Sequence, residues 1–315
     1  RRLIGDTIAG VIQRADEIAE FLAMYWKDGR RPLAKQVKLG LARAFGKFDE
    51  YQFAKYNRDG AVKLRDAMFM VRPKPSNEAR AALYNRIAED TLATPDTWEV
   101  SLSGGADKRE TFERLMASGK LGSMAMLRNL RNMHEAGVEK KVVARSMLDR
   151  ASDRVLPFRY VSAAKAVPQW EDLIEQAMLR SMATMPKLPG KTILLVDVSY
   201  SMYGVKVSGK SDLNRSDAAA ALAMLALGVT EECEVFAFSD LMYRVPTRHG
   251  FGLRDYLNGL RHGGTYLGKA VNYLGGNYLA DRLIVFTDEQ SHDPVPAPKY
   301  ERAYMINVAS NERGV

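Results

Sequence analysis

The sequence holds a single cysteine, Cys233, in 315 residues. An internal disulfide is excluded, as is a zinc site built on cysteines, and a cytoplasmic protein is expected. No apolar run approaches the roughly 20 residues of a membrane span, and no secretory signal opens the sequence, so no membrane partner is expected. Histidine is scarce as well, with four in the chain. His249, His262 and His292 follow no zinc-ligand spacing, and surface loops account for them. A Gly-x-Ser-x-Gly elbow, a dinucleotide fingerprint and a His-Glu-x-x-His pair are missing, no phosphate-binding P-loop is expected, and the chain is not read as an enzyme.

What is present is an ordinary globular composition, 46% hydrophobic and 27% charged. The length exceeds what one hydrophobic core usually serves, so two domains are expected. Net charge is +8 and unevenly placed. Up to Gly190 there are 33 lysines and arginines against 24 acids; from Lys191 onward there are 13 against 14. A basic part beside a neutral one points to a polyanionic partner for the first, because lysine and arginine release counterions from phosphates.

The pattern changes near Pro186 and Pro189. Before them, apolar residues recur at helical spacing. Ile8, Val11, Ile12, Ala15, Ile18, Leu22 and Tyr25 form one stripe, and Leu33, Val37, Leu41 and Phe45 another. Further helices are expected near 76–92, 107–118, 121–136, 138–152 and 168–185, with breaks at Gly and Pro, as in stacked helical pairs. After Gly190, strands near 191–196, 234–238, 282–287 and 303–308 alternate with helices near 214–229, 251–260 and 267–279. That alternation predicts a parallel sheet covered by helices. The expected architecture is a helical module over 1–187, followed by a doubly wound α/β domain over 188–315.

In such sheets the chemistry sits just beyond the carboxyl ends of the strands. The first strand runs into Asp197-Val-Ser199-Tyr-Ser201. Thr265 follows the pair Gly263-Gly264, and Asp288 follows the strand Leu283–Phe286. Hard oxygen donors in this mixture suit Mg²⁺, which keeps waters and leaves a position for an outside ligand. This order of residues resembles the metal-ion-dependent adhesion site (MIDAS) of von Willebrand factor A domains. The resemblance implies that Ser199, Ser201 and Thr265 contact the ion by their hydroxyls. It also implies that Asp197 and Asp288 act largely through water, and that a partner's carboxylate or phosphate completes the shell. Tyr200 stands where the family often has glycine, which puts a bulky group at the entrance.

The basic part also carries a resemblance. Phe48–Tyr56, Lys63-Leu-Arg-Asp66, Val71-Arg-Pro-Lys-Pro75, Leu127–Met133 and Leu156-Pro-Phe-Arg-Tyr160 look like the TROVE module of Ro autoantigen proteins. The resemblance implies HEAT-like helical repeats curved into a ring that the A-type domain bridges. It implies small noncoding Y RNA on the outer basic surface and single-stranded 3′ ends of misfolded RNA in the central hole, in RNA quality control. It implies a monomer that reaches an exoribonuclease, such as polynucleotide phosphorylase, through a Y-like RNA. The stretch before the Lys-Tyr segment and the helix after the last strand are both expected to be short against the family, and Arg72 replaces a common histidine. Candidate RNA contacts are Lys55, Arg58, Lys63, Arg65, Arg72, Lys74, Arg128 and Arg131, with Tyr51 and Tyr56 as stacking rings. A second reading is a metal-dependent protein adaptor, like A-type proteins that couple to AAA-family ATPases; it needs no basic stripe on the helices.

Overall fold

The computed structural model describes residues 2–57, 59–152, 154–209 and 211–309. They form two compact units, Arg1–Asp107 and Lys108–Val315. The first is helical: α1 (Arg2–Val11), α2 (Asp16–Tyr25), α3 (Lys35–Phe45), α4 (Glu50–Tyr56), α5 (Leu64–Val71), α6 (Glu78–Glu89) and α7 (Trp98–Ser103). Its core gathers Ile18, Leu22, Leu41, Phe45, Phe53, Ala67 and Ile87. Phe45 lies 5.7 Å from Phe53 and 6.2 Å, edge-on, from Tyr84.

The stripe from Ile8 to Tyr25 is not one helix. The chain breaks between α1 and α2, and Val11 is left 71% exposed. Neither Gly nor Pro marks the break. The Glu17 carboxylate makes it, accepting the backbone N–H groups of Gln13 (2.6 Å) and Arg14 (3.1 Å) in the link between the two helices.

α1 and α3 approach at glycine. A β-carbon on Gly40 would sit 2.7 Å from the Gly5 carbonyl oxygen and 2.8 Å from the Ile8 β-carbon. Both neighbours belong to or adjoin the backbone and have no room to move. Gly40→Ala is expected to cost about 1–3 kcal/mol by overpacking, net of the helix propensity it gains. A denaturant midpoint equal to that of the parent protein would show that the two helices do not touch there.

The second unit begins with α8 (Lys108–Ala117), α9 (Ser123–Glu135), α10 (Lys140–Asp149), α11 (Pro157–Ala166) and α12 (Glu171–Ala183). The α/β domain follows: β1 (Leu188–Asp197), α13 (Arg215–Gly228), β2 (Thr230–Phe238), β3 (Met242–Val245), α14 (Phe251–Asn258), α15 (Leu267–Asn277), β4 (Arg282–Thr287) and β5 (Arg302–Asn307). The sheet order is β3-β2-β1-β4-β5, parallel except for β3, which pairs antiparallel on the β2 edge. The parallel strands and three helices therefore match the sequence expectation, and the short β3 is additional.

On one face of the sheet, Ile193, Leu195, Phe236, Phe238, Leu283 and Val285 pack on Leu267, Ala270, Val271 and Leu274 of α15. α13 is apolar nearly all round, with Ala219, Ala220, Ala221, Ala223 and Met224 buried, so it needs cover on more than one side. It lies on β1 and is covered by α11, α12 and α14. Polar ties secure the arrangement: Lys165 pairs with Asp217, Glu171 with Arg254 at 2.8 Å, and Glu175 accepts the Phe251 N–H at 2.6 Å. These contacts are why helices α8–α12 belong to the same compact unit as the α/β domain.

Candidate functional site

Parallel strands align their carboxyl ends, and the register here brings Asp197 opposite Phe238, Val196 opposite Phe286 and Thr287 opposite Asn307. Asp197, Asp288 and Thr287 are fully buried at that edge, and Ser199 and Thr265 nearly so. The Asp197 carboxylate is held from both sides, accepting the Ser199 N–H at 2.8 Å and the Thr287 hydroxyl at 2.7 Å. Burial pushes its pKa up to about 6, against the pull of those hydrogen bonds. The Ser199 and Ser201 hydroxyl oxygens stand 3.2 Å apart. Thr265 is fixed through its backbone: its N–H donates to His292 Nδ1 at 3.0 Å, and its carbonyl accepts the His292 N–H at 2.8 Å. Gly263 is required beside it. A β-carbon there would fall 2.1 Å from an Asp240 carboxylate oxygen, while the Gly263 carbonyl accepts the Tyr200 N–H at 3.0 Å.

Of the five residues expected at a metal site, Asp197, Ser199, Ser201 and Asp288 thus lie on segments leaving one edge of the sheet, and Thr265 lies on the loop between α14 and α15, which the Tyr266 N–H ties to the Ser239 carbonyl beyond β2 at 3.3 Å. No group of three or more His, Cys, Asp or Glu side chains among the described residues is placed to hold a metal ion, so an ion here depends on hydroxyls and water. The donor set fits one. Two octahedral ligands about 2.1 Å from Mg²⁺ lie about 3 Å apart along an edge, close to the 3.2 Å of the serine pair. Buried Asp197 lacks a cationic partner among its hydrogen-bonding groups, and the next acid in the chain after Asp288, buried Glu289, has a carboxylate oxygen without a hydrogen-bond partner. Such groups are costly to bury unless a cation compensates them.

One residue was not foreseen. Arg215, the first residue of α13, donates from NH1 to Asp288 Oδ2 at 2.7 Å and to the Ser201 carbonyl at 3.4 Å. Its side chain is 10% exposed, and Asp288 is fully enclosed. Nothing local signals this reach, which spans 73 positions of sequence.

The rim is aromatic. Tyr200 is 70% exposed. The His262 ring lies 3.5 Å from that of Tyr203 and donates from Nδ1 to the Val198 carbonyl over 3.0 Å. Tyr266 stacks on His292 at 5.6 Å and carries the Lys269 ammonium 4.2 Å above its face. Two of the histidines assigned to plain surface loops therefore line this rim, and His292 positions Thr265.

The stretch Gly204-Val-Lys-Val-Ser-Gly209-Lys-Ser211 meets the P-loop letter spacing, contrary to the expectation of none. Its context differs from a phosphate loop. Lys206 pairs with Asn214 in a β-bridge, and α13 starts only at Arg215, so no helix N-terminus opens behind the loop. Lys210 lies outside the described residues.

The eight candidate RNA contacts fall on both units. In the first, Lys55 rests 5.6 Å from the rings of both Tyr51 and Tyr56. Lys63 is paired with Asp59 at 3.1 Å, an exposed pair of the kind worth about 0–1 kcal/mol. Arg65, Arg72 and Lys74 are exposed, with Arg72 in the left-handed conformation (φ 50°) that ends α5. Arg72 also borders a hollow of about 510 Å³ with Phe69, Pro73, Pro75 and Tyr84. Arg58 lies outside the described residues. In the second unit, Arg128 and Arg131 are exposed on α9, and Arg131 donates to the terminal carbonyl of α11, at Ala166, over 3.4 Å. Asn129, between them in the chain, is buried and donates to the Ala125 carbonyl at 2.9 Å.

The charge count concealed a further group. Arg30 lies 5.1 Å over Trp26, and Arg31 4.5 Å over Tyr25. The rings pin the loop in turn, Trp26 Nε1 donating to the Arg31 carbonyl at 2.7 Å. Lys27, Lys35 and Lys38 are exposed on the same segment, whose one acid is Asp28. A guanidinium stacked on a ring keeps its N–H edge free for a bidentate phosphate contact.

Comparison with known proteins agrees with both parts. A family model described as the TROVE domain matches residues 85–203, and one described as the Ro60 vWA domain matches 191–303. Telomerase protein component 1 of Mus musculus is 34% identical over 110 residues, 33% of this chain. Its counterpart in Rattus norvegicus is 34% identical over 129 residues, 39% of this chain. In each case the match spans 4% of the relative's length. The crystal structure of the Ro (Rsr) protein of Deinococcus radiodurans superposes with a TM-score of 0.67 at 19% identity, over 93% of this chain and 71% of that one, a likeness of fold.

Proposed function

With both domains in one chain, this is a TROVE-module protein of the Ro family, and from that premise we propose that it is an RNA-binding scaffold of ribonucleoprotein type rather than an enzyme. Its partners would be a small structured Y-like RNA on the basic helical surface and loose 3′ ends of misfolded RNA. An exoribonuclease would be reached through the first RNA, and the setting would be cytoplasmic RNA quality control.

The observation that carries the reading is the cation–ring set on the first unit: exposed Arg30 and Arg31 on the half-buried rings of Trp26 and Tyr25, and half-buried Lys55 beside Tyr51 and Tyr56. Single-stranded RNA offers phosphates to the cations and bases to the rings, and neither interaction needs sequence. Mg²⁺ would be held by the hydroxyls of Ser199, Ser201 and Thr265, with Asp197 and Asp288 behind water. When bound it supplies a positive charge with one coordination position open to a carboxylate or phosphate of a partner. The protein's own part is to keep Asp197 ionised and oriented, through Thr287 and the Ser199 N–H.

The test is filter binding of the full chain to a structured small RNA over a range of salt. Contact with several phosphates is expected to give a slope of log affinity against log salt steeper than about −3. At one salt concentration, a duplex with a single-stranded 3′ tail is expected to outcompete the same duplex blunt-ended. Salt-insensitive or absent RNA binding would overturn the reading and favour the metal-dependent adaptor.

A further inference from the structure

Arg215 occupies a position that a metal site ordinarily leaves to the ion's charge. It is a cation at the first residue of a helix, where the backbone N–H groups already present positive charge. Its Nε is buried without a hydrogen-bond partner. Both features are unfavourable alone, yet the side chain is held there firmly. A capping box of Asn214 and Asp217 fixes the helix start, at 2.8 and 3.0 Å, and Lys165 anchors Asp217 from α11. What the guanidinium gains is the Asp288 carboxylate at 2.7 Å and, more weakly, the Ser201 carbonyl.

We propose that Arg215 is a built-in counter-ion that competes with the divalent cation for Asp288, so that the site exchanges a guanidinium-held state for an ion-held one and binds Mg²⁺ weakly by design. The proposal rests on the Mg²⁺ reading of the five oxygen-bearing residues. Two physical effects oppose the ion while Arg215 is in place. Asp288 already has one oxygen committed to NH1, and its other oxygen is 3.4 Å from the Gln290 N–H. A unit positive charge so close also repels a second cation in a poorly solvated pocket. To admit the ion, Arg215 must swing off Asp288, or share it with a water of the ion's shell. The first movement frees a guanidinium edge at the site, where an anionic partner group would meet it.

The experiment is calorimetric titration of the intact chain with MgCl₂ after chelator treatment, comparing the parent protein with Arg215→Gln. The variant is expected to bind at least tenfold more tightly, since glutamine keeps a donor near Asp288 without the charge. Its thermal midpoint should be lower than the parent's in chelator and should rise more on adding Mg²⁺, because the ion replaces the missing counter-charge. Arg215→Lys, which keeps the charge, is expected to stay near the parent affinity; a tenfold gain there would overturn charge competition. If the parent binds Mg²⁺ and Arg215→Gln binds it equally or more weakly, the counter-ion proposal falls and the metal reading stands. If neither binds at millimolar Mg²⁺, the metal reading fails and takes the proposal with it. Should Arg215→Gln not fold in chelator, observation of the parent's Arg215 side chain by NMR decides. Its guanidinium signal is expected to shift with Mg²⁺, and an unmoved signal at a saturating concentration overturns the proposal.

Discussion

Asp288→Ala is expected to lose about 3–5 kcal/mol of folding stability in chelator, among the largest single effects available in this molecule. The loss does not measure the strength of the ion pair. It arises because Arg215, with 10% of its side chain exposed, would be left as an unpaired charge. Its Nε already lacks a partner, and the Ser201 carbonyl at 3.4 Å is a weak substitute for a carboxylate. For a unit of about 200 residues the midpoint should fall by about 6–20 °C. The double variant Arg215→Met, Asp288→Asn should recover more than half of the loss, since buried pairs replaced on both sides are often near neutral. A double variant no more stable than Asp288→Ala would mean that the aspartate is needed for something other than balancing Arg215.

That ion pair also marks the limit of what the sequence discloses. The sheet was legible because a fully buried parallel strand leaves an unbroken apolar run, as in Ile193–Val196 and Leu283–Phe286. The residues that leave such strands have to be at its carboxyl edge, so the chain order alone puts Asp197 and Asp288 there. β3 escaped notice because a four-residue edge strand interrupted by the exposed Arg244 is too short to carry an apolar run. The break between α1 and α2 escaped because a glutamate carboxylate makes it, and glutamate inside a helical pattern usually signals nothing. Arg215 could not be placed, because a long side chain chooses its partner by where strands and helices come to rest. Nor did the change in pattern at Pro186–Pro189 disclose how far the packing extends back. α13 has no bare polar face, and it draws the helices before β1 into its own unit.

The second large effect concerns the arginines on the first unit. Arg30→Gln together with Arg31→Gln is expected to weaken binding of single-stranded RNA about tenfold at 0.15 M salt, and to flatten the salt slope by about 1.4–1.8. The rings of Trp26 and Tyr25 remain in this variant, so the loop they pin keeps its anchor, the bond from Trp26 Nε1 to the Arg31 carbonyl. Adding Trp26→Ala should then cost a further factor of about five or more if a base stacks there, with no further change in slope, because indole carries no charge. Lys63→Ala serves as the contrast. That ammonium has a carboxylate at 3.1 Å and must give it up before meeting a phosphate, so its removal should alter affinity by less than about threefold. The comparison separates two meanings of a basic surface. If only total charge mattered, each lost cation would weaken binding alike, and Lys63 would count as much as Arg30. If cations without acid partners, set on rings, do the binding, the arginines of this loop dominate and Lys63 is nearly silent. Equal losses per charge would leave the helical unit as a diffuse attractor of RNA, and would remove the Trp26–Arg31 loop as a defined site.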